Sequence, residues 1–122
     1  MADVTIRISE IVGSGVCVTS EDGQRVYLAL YDAFNAGKRV KLSFSGVTRM
    51  TTAFLNAAVG QLYGEFSEAD IRSKMLPPLD AESWHLVRLK LVIDRAKQYF
   101  SNKEKYNKLL HAGMGLVEDD YS

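Results

Sequence analysis

The sequence predicts one α/β domain, a mixed sheet of about four strands with its helices mainly on one face. Two segments alternate with the period of a half-buried strand. Val4, Ile6 and Ile8 alternate with Thr5, Arg7 and Ser9, and Val40, Leu42 and Phe44 with Lys41, Ser43 and Ser45. Between and after them, apolar residues recur at helical spacing behind Ser or Thr caps. A parallel sheet covered on both faces would show continuous apolar runs instead. The 122 residues suit a single core.

Residues 3–12 read as the first strand. Gly13-Ser14-Gly15 turns the chain, and Val16-Cys17-Val18 returns as a short strand of an N-terminal hairpin. Thr19 with Asp22 three residues on is a capping pattern. The helix it opens carries Val26, Tyr27, Leu30, Tyr31 and Phe34 on one face, with Gly37 as its left-handed cap. The central strand from Val40 ends at Gly46. From Phe54 the period is helical through Leu55, Ala58, Val59, Leu62, Tyr63 and Phe66, with Thr51 or Thr52 as N-cap. Ser67 and Asp70 open a short helix to about Lys74, which Pro77 and Pro78 stop. Met75 to Leu79 is either an edge strand or a strut. Asp80 is expected to cap a long helix with Leu86, Leu89, Ile93, Ala96 and Phe100 inward. The domain boundary falls at 1–102, leaving 103–122 as a helical extension and acidic tail ending in Glu118-Asp119-Asp120.

Composition is 47% hydrophobic and 25% charged, which is globular rather than disordered. A net charge of zero argues against a nucleic-acid partner. Residues 88–108 hold seven basic side chains against two acids, read as a solvated helix face or a patch for an acidic partner. Cys17 is the only cysteine and reads as a structural thiol. The N-terminus lacks a signal peptide and no apolar run approaches membrane length, so a cytoplasmic protein without membrane association is expected.

The chemistry of catalysis is missing. His85 and His111 are isolated and read as surface or partly buried side chains. Gly13-Ser14-Gly15 lacks the lysine of a phosphate loop, and no Gly-x-Ser-x-Gly elbow or paired-carboxylate site occurs. No enzyme, cofactor or metal is therefore expected.

Leu42-Ser-Phe-Ser-Gly-Val-Thr-Arg-Met-Thr-Thr-Ala-Phe-Leu55 resembles the signature of STAS domains, the family of anti-sigma-factor antagonists and sulfate-transporter tails. With Phe54-Leu-Asn-Ala57, Gly60-Gln-Leu-Tyr63, Thr19-Ser-Glu-Asp-Gly23 and Ile93-Asp-Arg-Ala96, it is most similar to a bacterial STAS-like family of unassigned function. The resemblance spans about residues 3–100, and its specific part is the central block. It implies a STAS-like fold and a regulatory, signalling role through protein binding, with a histidine-kinase-like ATPase as the partner class. The antagonists' phosphorylated serine falls on Thr52. The acid before it becomes Thr51, the second serine Ala53 and the glycine Phe54. Thr51 and Thr52 can equally be plain helix caps.

The expected partner surface is Thr48, Arg49, Thr51, Thr52, Ala53, Asn56 and Gly60, on the loop and helix after the central strand. Ala53, Ala57, Gly60 and Gly64 form a small-residue line that serves either tight helix packing or partner docking. The alternative function is a sensor holding a small anion or nucleotide at the same helix N-terminus. A homodimer through the N-terminal hairpin edge is a further expectation.

Overall fold

The alternation that begins at Val4 stops at Arg7. The computed structural model describes the backbone of residues 2–109 and the side chains of residues 2–102. In it β1 is Asp3–Arg7 and the chain then coils into a short helix, α1 (Ile8–Val12). Ile8, Ile11 and Val12 lie at i, i+3 and i+4, so a helical turn brings all three to the core where a strand would split them. Gly13 closes that turn at φ 83°, its N–H donating to the Ser9 carbonyl at 2.8 Å. The expected hairpin does not form; β1 pairs with Arg39–Ser43 instead.

The strands pair in parallel. β1 lies beside β3 (Arg39–Ser43), with Val4 opposite Val40 and Ile6 opposite Leu42. Asp3 and Arg39 close the end of this ladder through paired contacts of 2.8 and 3.2 Å. β2 (Val16–Cys17) lies beside β4 (Arg49–Met50). Among the described residues there are thus two small parallel ladders, not one mixed sheet of about four strands with helices on one face.

Helix α2 (Ser20–Asn35) starts as its sequence predicts, with Thr19 Oγ1 accepting from Asp22 N–H at 3.1 Å. It ends in a Schellman motif. Gly37, at φ 73°, donates to the Phe34 carbonyl and Lys38 to the Ala33 carbonyl, both at 3.0 Å. The helix after β4 has three parts: α3 (Thr52–Leu55), a π segment (Asn56–Gly60) and α4 (Leu62–Glu65). A Cβ on Gly23 would sit 2.3 Å from the Phe54 carbonyl oxygen and 2.8 Å from Ala57 Cβ, so α2 crosses this helix at backbone contact.

α5 (Glu68–Lys74) is capped by Ser67 Oγ, which accepts from Asp70 N–H at 3.1 Å. Residues 75–79 then return along β3 as a strap. Leu76 N–H reaches the Val40 carbonyl at 2.8 Å and Leu79 N–H the Leu42 carbonyl at 3.0 Å. Both the edge-strand and the strut readings hold in part, since only Met75 and Leu79 form bridges. The strap also buries Ser43, which alternation had placed on the wetter face.

α6 (Ser83–Leu109) begins three residues later than its expected cap. Asp80 sits at φ 52°, a left-handed turn out of the strap, and Glu82 caps instead, its carbonyl accepting from Leu86 N–H at 3.2 Å. α6 passes residue 102 without a break. The expected tail beyond Leu109, with His111 and Glu118-Asp119-Asp120, lies outside the described residues. Ile8, Leu30, Phe34, Phe44, Phe54 and Leu62 are core residues, and α6 adds Leu89 and Val92.

Candidate functional site

The loop between β3 and α3 is short and pinned by hydrogen bonds along most of its length. Val47 N–H donates to the Phe44 carbonyl at 3.0 Å, closing a turn whose third residue, Gly46, has φ 78°. That angle suits glycine, as a type II turn requires. Ser9 Oγ donates to the Ser45 carbonyl at 2.9 Å, tying α1 to the turn. Beyond it, the Gly15 carbonyl accepts from Thr48 N–H at 2.9 Å and Arg49 N–H at 3.2 Å. A Cβ on Gly15 would lie 2.2 Å from the Gly46 carbonyl oxygen, so the β2 entry and this turn touch through backbone. Thr48 and Arg49 stay exposed.

Thr51 is the cap, which settles the choice between the two threonines. Its Oγ1 accepts from Phe54 N–H at 3.1 Å and donates to the Val18 carbonyl at 2.8 Å. Both roles of that hydroxyl are filled, and Phe54 N–H, one of the few donors an anion at this helix start would use, is already taken. Thr52 is half-buried, and its hydroxyl has no protein partner among the described residues. Ala53 and Asn56 are exposed on the following turn.

Gly60 does not belong to this surface. It is buried, and a Cβ there would meet Val92 Cγ1 at 3.6 Å and Ala96 Cβ at 3.8 Å. Gly64 lets Phe100 approach to 2.6 Å of its Cβ position. Gly60 and Gly64 of the small-residue line therefore seat α6 and Ala57 faces Gly23 of α2, while Ala53 stays at the surface. The structure brings Thr48, Arg49, Thr52, Ala53 and Asn56 to the surface, leaves Thr51 as scaffold and removes Gly60.

His85 is the residue that sequence reasoning missed. It is 1% exposed, and Nδ1 accepts from Glu82 N–H at 2.9 Å while Nε2 lies 2.9 Å from the Val47 carbonyl oxygen. The first contact fixes the tautomer, so Nε2–H donates to Val47. One ring thus completes the start of α6 and holds the site loop. The available signal was its place three residues after the Glu82 cap, where a side chain reaches back to the cap N–H.

Cys17 is fully buried, and burial followed by the nearby Asp22 carboxylate pushes its thiol up to about 11. It is a core residue. Among the described residues no cluster of three or more His, Cys, Asp or Glu side chains could hold a metal. No helix among them is long and apolar enough to cross a membrane.

Fold and junction together define a small α/β domain with parallel strand pairs and a locked strand-to-helix loop. Residues 22–77, from α2 through the strap, match the family model of the STAS-like domain of unknown function. Over those residues the chain is similar to a STAS-like domain. No curated protein and no solved structure matches it.

Proposed function

We propose that the chain is a non-enzymatic regulatory module that docks a protein partner through the β3–α3 loop and the first turns of the helix after it. The observation that supports this most is the division of labour between adjacent threonines. Thr51 spends its hydroxyl on the frame, whereas Thr52 offers one without a partner beside exposed Ala53 and Asn56. A rigid frame lowers the ordering cost of association.

Resemblance to the anti-sigma-factor antagonists makes a histidine-kinase-like ATPase in a bacterial signalling setting the partner class. Phosphate on Thr52 would add a charge of about −1.5 to −2 to the docking face. The experiment is affinity capture from the native host with wild type, Ala53→Arg and Thr52→Glu. A partner retained by wild type, lost with Ala53→Arg and weakened by Thr52→Glu is the expected pattern. Capture indifferent to Ala53→Arg removes the docking surface, and identical profiles for Thr52→Glu remove the switch.

A further inference from the structure

A cleft of about 380 Å³ opens between α5, the strap and α6. It shares no residue with the β3–α3 loop, and its reading does not depend on the docking proposal. Its floor is apolar: Leu42 from β3, Val59 from the π segment, Ile71 from α5 and Leu89 from α6. The strap explains why the space stays open. Between its two bridges β3 advances from Val40 to Ser43 while the strap runs from Met75 to Leu79, one residue more. The surplus falls between Leu76 and Leu79, where Pro77 and Pro78 have no N–H to bond back onto the strand. The wall is therefore stiff, and the cleft exists without a ligand to prop it.

The mouth is polar and unbalanced in charge. Glu68 pairs with both Arg72, at 3.3 Å, and Lys97, at 3.4 Å. Among the lining side chains one carboxylate faces two cations, and Asp94, which also acts on Tyr63, is paired with Lys90 at 2.9 Å, so the lining carries one positive charge in excess over an apolar floor. Tyr63, also in the lining, has a hydroxyl without a protein partner among the described residues. Apolar burial with a few convergent polar groups is the usual make-up of small-molecule sites, which occupy roughly 300–1,000 Å³.

We propose that this cleft binds a small amphipathic monoanion, an aliphatic carboxylate whose chain lies on Leu42, Val59 and Leu89 and whose head meets Arg72 and Lys97. Isothermal titration with octanoate, octan-1-ol and octylammonium tests it. The expected result is saturable one-to-one binding of octanoate, with octylammonium about fivefold weaker, the scale of exposed charge pairs. Ile93→Trp fills the cleft and should abolish octanoate binding. Arg72→Gln with Lys97→Gln leaves Glu68 as the one charge of the lining and should reverse the head-group preference, which keeps the test decisive if Ile93→Trp unfolds. No saturable binding of octanoate overturns the proposal. So does equal affinity for octylammonium, or octanoate binding unchanged in the variants.

Discussion

Replacing His85 should separate the worth of its hydrogen bonds from that of its ring. The ring packs 4.0 Å from the Trp84 centroid and 5.1 Å from that of Phe44. His85→Phe keeps that packing and strips both hydrogen bonds. The Val47 carbonyl, on a residue only 3% exposed, then loses its donor away from water, at about 1–3 kcal/mol. Glu82 is exposed, so water can take over its N–H, and the lost cap contact costs about 0.5–1 kcal/mol. The sum for His85→Phe is about 1.5–4 kcal/mol. His85→Ala adds the cavity of a missing ring, bringing the loss to about 4–6 kcal/mol, a large part of the roughly 5–15 kcal/mol typical of a domain. His85→Gln can present an acceptor to Glu82 and a donor to Val47, and should lose about 1 kcal/mol. Urea unfolding followed by circular dichroism measures the series, with m constant and the midpoint falling in the order wild type, Gln, Phe, Ala. If His85→Phe is within about 0.5 kcal/mol of wild type, the two hydrogen bonds do not hold the loop to α6 and the reasoning fails.

Other substitutions test the frame around the site. Gly15→Ala drives a Cβ to 2.2 Å from the Gly46 carbonyl oxygen and should cost about 1–3 kcal/mol in urea unfolding. Gly60→Ala meets only ordinary contacts of 3.5 Å or more, so the same measurement should show unchanged stability or a gain of up to about 1 kcal/mol. Thr51→Ala removes the cap and the donor to Val18 and should lose about 1–2 kcal/mol, whereas Thr51→Ser should keep most of it. The neutral Cys17 thiol is favoured by folding, so its contribution is whole below its ordinary 9.0 and is lost as pH rises through about 11. The alkaline limb of a stability–pH profile should flatten in Cys17→Ala, and an unchanged limb would mean the thiol is not what titrates.

What was legible in the sequence was short-range. Thr19, Ser67 and Gly37 each act within a few residues, and each adopts the cap its spacing predicts. Pairing was not legible, because alternation marks a buried face without naming the neighbour. Val4 could have faced a returning hairpin as well as Val40, and only the coiling of Ile8–Val12 decides between them. β4 is two residues long and too short to alternate, and the π segment has no composition of its own. His85 was opaque for the same reason as the pairing, since the carbonyl it serves lies 38 residues earlier.

The site followed the same rule, and this bears on how it works. The sequence pointed to Thr51 and Thr52 together and could not divide them, because the deciding acceptor is the Val18 carbonyl, one residue past β2. Gly15 lies one residue before β2 and its carbonyl accepts from Thr48 and Arg49. The segment first read as one arm of a hairpin is therefore the template for the junction, fixing Thr48, Arg49 and Thr51 from one side while His85 fixes Val47 from the other. Thr52, Ala53 and Asn56 lie outside that frame. Substitutions there should alter recognition without altering stability, and those at Gly15, Thr51 or His85 should do the reverse first.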